Sequence, residues 1–354
     1  MASGVSNIAN NLLTRRCRVI VCGVGGRMGK IRTELIYANP RFELCGVCDI
    51  NLEAAQIQAD KFSVRLLDVS STDTNNSLNS TTLDGLVITV PTKYHGDYIK
   101  EAAQNGLGVF VEKPVADSPD EIEHLYEICD QHQVPLCCGF QRRFDRSYVQ
   151  AAHNVQQGNI GKVTNAHIHF GDSPGPSLEF MITGGNIFFD LSVHDVDFIR
   201  WALNEEIESV YARGNSSREE LLECNIQDNA TMMMTTASGC IVTLTMSRRA
   251  SYGYDQRCEI YAEKGKISVG NEFETTTIIS DKHGDHWSRL KNSFDSRFRD
   301  AFTNEINTFA DTLSGKTTWP VSKNDVIRVE QVAAAAKKSL ETNQIVYLEN
   351  NDSR

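Results

Sequence analysis

Arg18-Val-Ile-Val-Cys-Gly23-Val-Gly25-Gly26-Arg27-Met28-Gly29 is a short apolar run that breaks into a glycine-rich turn and then into helix-forming sequence to about Ala38. Glycines at such a turn allow a tight reversal and close approach of backbone amides to a phosphate. The helix N-terminus that follows stabilises the phosphate charge. A strand, a glycine turn and a helix in this order open a doubly wound parallel sheet of the Rossmann type. The spacing departs from a strict G-x-G-x-x-G, because position 28 is Met and the last glycine stands at 29.

Working outward, Phe42 to Asp49 reads as a second strand, and Asp49 closes it twenty positions beyond Gly29. An acid there accepts hydrogen bonds from a ribose 2′-hydroxyl and repels a 2′-phosphate, which points to NAD rather than NADP. A helix N-cap or a turn is the competing role for Asp49. Leu52 to Phe62 reads as a helix, Leu86 to Val90 as a strand stopped by Pro91, and His95 to Asn105 as a helix. Gly108 to Glu112, Pro119 to His132 and Val134 to Gly139 continue as strand, helix and strand. Alternating β and α segments imply a parallel sheet covered on both faces. After about Phe140 the pattern changes. A helix to about Gln157 precedes strands of period two, with hairpin turns at Ala237-Ser-Gly239 and Glu263-Lys-Gly265. Two amphipathic helices follow near Asp300 to Leu313 and Lys323 to Leu340. The expected architecture is an N-terminal extension over 1–15, an α/β Rossmann domain over 16–139, and an α+β domain over 140–354 with an open, mainly antiparallel sheet.

Two further features carry chemistry. Lys113, in Glu112-Lys113-Pro114, follows a strand. Ligands of doubly wound sheets lie beyond the carboxyl ends of the strands, so Lys113 would project toward a nicotinamide. The run Asn186 to Leu203 reads as a helix that is apolar at most positions. It places Asp190, His194 and Asp197 at i, i+4 and i+7, on one face. A carboxylate one turn from an imidazole suits a general base near neutral pH. A structural Asp–His pair is the alternative.

Composition excludes several classes. The formal net charge is -11 and no long basic run occurs, so neither nucleic acid nor an anionic membrane is expected as partner. No apolar run is long enough to span a bilayer. Ten cysteines without disulfide-framework spacing read as reduced thiols in the cytoplasm. Cys45 and Cys48 form a CxxC, but i and i+3 of a strand face opposite ways, so no metal or redox role is expected. His167 and His169 share a strand face, and satisfied histidines are expected there rather than metal ligands. Trp201 reads as core. Tyr252 and Tyr254, two apart, are expected on one side of a strand. The extension lacks acids and contains Arg15, which leaves a targeting segment as an alternative to a frayed terminus.

Taken together, the glycine turn, Glu-Lys-Pro and the Asp190/His194 helix resemble the Gfo/Idh/MocA oxidoreductases over about residues 16 to 348. Gly139-Phe-Gln-Arg-Arg-Phe-Asp145 and Ser247-Arg-Arg-Ala-Ser-Tyr-Gly-Tyr-Asp255 are similar to segments of the inositol 2-dehydrogenases in that family. The resemblance implies NAD-dependent oxidation of a secondary hydroxyl of a cyclic polyol. Its alternatives are an aldose or dihydrodiol substrate, or a non-catalytic NAD-sensing role. It implies Lys113, Asp190 and His194 as the catalytic set, with Arg143 and Tyr254 as further substrate contacts and Asp197 supporting the His194 face. NAD contacts are expected from Gly23, Gly25, Gly26, Arg27, Met28, Gly29, Asp49, Pro91, His95, Glu112 and Lys113. Relatives often carry a basic residue where this chain has Gly171. A homodimer or homotetramer is the expected assembly, through the second domain's sheet.

Overall fold

The computed structural model describes residues 15–67, 83–183 and 185–349. The N-terminal extension up to residue 14 and the polar loop expected near 71–82 lie outside the described residues. The chain forms two compact units. One comprises the residues up to Gly139 together with Phe302–Val326, and the other comprises Phe140–Ala301 together with the residues from Ile327 onward.

The first unit holds six parallel strands, β1 (Cys17–Cys22), β2 (Phe42–Cys48), β3 (Arg65–Leu66), β4 (Gly85–Ile88), β5 (Gly108–Glu112) and β6 (Leu136–Gly139). They lie in the order β3-β2-β1-β4-β5-β6. The chain reverses direction across the sheet between β1 and β4, which is where a doubly wound fold binds its ligand. Val19, Val21, Leu86, Val87, Ile88 and Val109 to Val111 are fully buried, as strands covered on both faces require. Helices α1 (Arg27–Ala38), α2 (Leu52–Phe62), α3 (His95–Gln104) and α4 (Pro119–Gln131) provide the cover. Asn51 caps α2 by accepting from the Ala54 amide, and Ser118 caps α4 by accepting from Glu121.

The expected boundary of the second domain needs one correction. Ile306, Phe309 and Ala310 belong to the core of the first unit, packed with Val19, Val21 and Phe110. Gly85 and Gly108 make room for that chain segment. A Cβ at Gly108 would lie 2.4 Å from Leu313 Cδ2, and one at Gly85 would lie 3.2 Å from Phe309 Cζ. The indole of Trp319 then donates to the Cys138 carbonyl at 3.0 Å. The physical reason is burial. The apolar stripe of this late helix completes the cover of the parallel sheet.

The second unit contains a seven-stranded sheet, ordered β12-β11-β7-β10-β9-β8-β15. Its strands are β7 (Val163–Gly171), β8 (Ile207–Asn215), β9 (Asn229–Thr236), β10 (Ile241–Ser247), β11 (Asp255–Ala262), β12 (Gly265–Val269) and β15 (Val346–Tyr347). Only β7 and β10 pair in parallel; the other neighbours are antiparallel. A separate hairpin joins β13 (Ile278–Asp281) to β14 (Gly284–Trp287). Alternation of buried and exposed residues along β9 and β10 puts Met232, Met234, Val242, Leu244 and Met246 inside. On the inner side lie α5 (Arg146–Gln156) and α6 (Val193–Leu203), joined by an edge-on contact of Tyr148 and Phe198 at 4.7 Å.

Candidate active site

In the first unit the glycine turn is built by steric necessity. Gly23 has φ +90°, and a Cβ there would lie 2.6 Å from the Thr89 and Val90 backbone. A Cβ at Gly29 would lie 2.0 Å from the Gly23 carbonyl oxygen. Gly29 thus performs the close helix–strand packing that the shorter motif assigns to its third glycine. The one-residue offset caused by Met28 is absorbed in the first turn of α1. Gly26 is the N-cap of that helix and brings no side chain to its amides. Backbone donors with a helix N-terminus behind them suit a pyrophosphate.

Asp49 sits beside this turn. Its Oδ2 accepts from the Gly25 amide at 2.8 Å and its Oδ1 from the Asn51 amide at 2.8 Å. The turn role weighed for it is therefore real, while the N-cap itself is Asn51. A carboxylate has roughly four acceptor positions, so these two bonds leave it able to take a ribose hydroxyl. Pro91 is exposed at the end of β4.

His95 and Glu112 are both tied into the first unit's own structure. His95 is buried, with Nε2 2.8 Å from the Val90 carbonyl and Nδ1 2.9 Å from the Pro114 carbonyl. It ties the loop after β4 to the turn after β5. Burial pushes its pKa down, while the Val90, Pro114 and Val115 carbonyls pull it up. Glu112 accepts from Arg32 Nε at 2.7 Å, and Arg32 also donates to Glu305 at 2.6 Å. The turn carrying Lys113 is therefore anchored on both sides, by Glu112 before it and by the Pro114 carbonyl after it. Lys113 itself is half-buried at the carboxyl end of β5.

In the second unit, the helix read from Asn186 is not uniform. Asn186 accepts from the Phe188 amide, a π turn spans Phe188–Ser192, and α6 follows. A π turn widens the backbone ladder locally. The helix expected from Asn186 is thus interrupted by a π turn at Asp190, and regular α-helical spacing is established from Val193 onward. Asp190 lies in the π turn and accepts from Arg248 Nη1 at 2.7 Å. Asp197 is fully buried and holds Arg143 through Nε and Nη2 at 2.9 and 2.7 Å. His194 is half-buried between them in sequence, with the rings of Phe140 and Phe170 at 6.3 and 6.5 Å.

Arg143 and Tyr254, expected against substrate, are both buried. Arg143 is engaged by Asp197 and stacked over Trp201 at 5.6 Å. Tyr254 packs edge-on against Phe170 and Phe298, and burial raises its phenol well above the ordinary range. Tyr252 is exposed and donates to Asp255. The two tyrosines therefore differ in environment rather than sharing one side, because they lie in the loop before β11. Gly171 also has a local reason. A Cβ there would lie 2.8 Å from Ala250 Cβ, so any larger side chain would need the chain at Ala250 to shift.

Sequence reading missed Arg248, Arg32 and Glu305. The available signal was a basic residue on an apolar face. Arg32 stands among Ile31, Leu35 and Ile36 in α1, and Arg248 directly follows the alternating run of β10. His167 and His169 each meet a threonine, Thr243 and Thr245, at 2.8 Å. Among the described residues no group of three or more His, Cys, Asp or Glu could hold a metal ion. All ten cysteines are free, and no described helix is long and apolar enough to cross a membrane.

Comparison with known proteins agrees with this geometry. Residues 17–140 match the profile of an oxidoreductase family with an NAD-binding Rossmann fold, and residues 148–268 match a GFO/IDH/MocA C-terminal domain. The chain is 31% identical over 333 residues to myo-inositol 2-dehydrogenase of Thermotoga maritima, covering 94% of this chain and 98% of the relative. It is 33% identical over 341 residues to scyllo-inositol 2-dehydrogenase (NAD(+)) of Bacillus subtilis, covering 95% and 98%. A myo-inositol dehydrogenase structure from Corynebacterium glutamicum superposes with a TM-score of 0.87 at 28% identity, over 95% of this chain and 100% of that one.

Proposed function

The chain belongs to the Gfo/Idh/MocA family and is an NAD-dependent oxidoreductase; from that premise we propose that it oxidises a secondary ring hydroxyl of a cyclic polyol, with myo-inositol oxidised at its 2-position as the leading substrate. The observation that carries the reading is the presentation of Asp190 and His194 on a buttressed helix start, in a chain whose glycine cradle fits a dinucleotide. The names of the relatives support the substrate class.

Bound NAD supplies the hydride acceptor. His194 takes the hydroxyl proton as the carbon–hydrogen bond breaks. Lys113, on its doubly anchored turn at the carboxyl end of β5, supplies a cation of the kind that stabilises a developing alkoxide. Asp190 orients a neighbouring hydroxyl. Arg143 and Tyr254 are further substrate contacts in this reading, with Asp197 holding the Arg143 guanidinium in place. Asp49 favours NAD over NADP by accepting from a ribose hydroxyl and repelling a phosphate.

The test is NADH absorbance on a panel of cyclitols, aldoses and a trans-dihydrodiol, with either nicotinamide cofactor. Turnover of an inositol that disappears in His194→Ala, with NADH affinity kept, is expected. Turnover confined to aldoses or the dihydrodiol moves the assignment to those substrates, and no turnover anywhere favours the NAD-sensing role. We also propose a homodimer or homotetramer through the outer face of the seven-stranded sheet, where Met233 and Ile241 are exposed. Reduced thiols suit a cytoplasmic setting.

A further inference from the structure

We propose that Arg248 is a positioning residue for this reaction, one that fixes both the aim and the charge of the Asp190 carboxylate. The inference rests on the reading above, in which Asp190 touches substrate. Arg248 is 1% exposed, whereas the Asp190 side chain is 25% exposed. The pair thus has a sealed basic side and an acid that reaches the surface. Nη1 donates to Asp190 Oδ2 at 2.7 Å, and Nη2 donates to the Gly185 carbonyl at 3.3 Å. One guanidinium therefore holds the segment that enters the helix at two points, five residues apart.

The arginine is itself fixed. Its amide donates to the Asp228 carbonyl at 2.8 Å, one residue beyond the end of β10. Its guanidinium carbon lies 5.9 Å from the Phe180 ring centroid. Asp190 sits in a π turn, a local irregularity that recurs at functional sites. The adjacent acids of α6 are served by other arginines, Asp195 by Arg142 and Asp197 by Arg143. Arg248 is thus matched to the acid nearest the chemistry. A buried cation beside a carboxylate holds it in the ionised form. A planar fork directs it in a way that a lysine would not.

The experiment follows the Asp190 carboxyl directly. Protein carrying 13C-labelled aspartate is titrated by NMR, with Asp190→Asn to assign the signal, in wild type, Arg248→Lys and Arg248→Met. In wild type the signal should titrate below the ordinary aspartate range. Arg248→Met should raise that midpoint by roughly 1 pH unit or more, and Arg248→Lys should fall between. NADH affinity should stay within about twofold, because the cofactor's glycine cradle is untouched. Turnover of the inositol should fall at least about tenfold in Arg248→Met, with a smaller change in KM, and recover partly in Arg248→Lys. A purely structural arginine would lower the melting temperature without moving the titration.

An Asp190 midpoint in the ordinary range in wild type overturns the proposal, even if every Arg248 variant fails to fold. An unchanged midpoint in a folded Arg248→Met overturns it as well. The titration needs no substrate. A wild-type protein that turns over nothing on the panel therefore refutes the polyol reading while the titration still decides the role of Arg248.

Discussion

Replacing Glu305 with glutamine should abolish a pH dependence of stability built into the first unit. Glu305 is fully buried, Arg32 Nη2 donates to it at 2.6 Å, and Arg32 Nε donates to Glu112. The guanidinium is flanked by the Phe110 and Phe302 rings, 4.6 and 4.8 Å from their centroids. One cation thus faces two carboxylates in an apolar site. Burial pushes the Glu305 carboxyl up from 4.5 to about 7; Arg32 opposes that shift and Glu112 adds to it. Between those values the unfolded chain has lost this proton and the folded chain keeps it. The folded state binds more protons, so stability is lost as pH rises through the window. At about 1.4 kcal/mol per pH unit, the loss is on the order of 3 kcal/mol. Glutamine keeps an acceptor for Arg32 and removes the titration. Urea unfolding followed by tryptophan fluorescence at pH 5 and pH 8 is the assay. Wild type should lose stability relative to Glu305→Gln over that interval, and the variant should be the more stable of the two at pH 8. Parallel behaviour of the two proteins would refute the placement of a shared proton at this triad.

Gly29→Ala should lower NAD affinity roughly 100-fold, because the new Cβ would meet a backbone oxygen at 2.0 Å and must displace the start of α1; isothermal titration with NADH measures it, and unchanged affinity would show that the turn is not the pyrophosphate cradle. Asp49→Ser should lower the ratio of NAD to NADP efficiency by about tenfold or more, through a lost ribose acceptor and a removed repulsion. Paired kinetics with the two cofactors check this, and an unchanged ratio would confine Asp49 to its bonds with Gly25 and Asn51.

Local pattern carried much of the fold because its signals are local in origin. A buried parallel strand is an unbroken apolar run, as in Val109 to Val111, and a half-buried strand alternates, as along β9 and β10. Glycines at 23 and 29 mark where backbones meet, so the turn was legible despite the displaced third glycine. The single helix expected from Asn186 hid its π turn, because the run is apolar at most positions and a local shift of phase leaves no mark in it. The apolar stripe of residues 299–313 announced a helix but not the sheet it would cover.

Sequence by itself determined the alternation of elements, the glycine turn, and the candidate chemistry of Lys113, Asp190 and His194. Only the tertiary structure decided which charges meet. Arg248 reaches Asp190 across 58 positions, Arg143 reaches Asp197 across 54, and Arg32 reaches Glu305 across 273. The reason is physical. Strand and helix periodicity is enforced by neighbours a few residues away, whereas a buried ion pair is chosen by packing between distant segments and leaves no period in the chain.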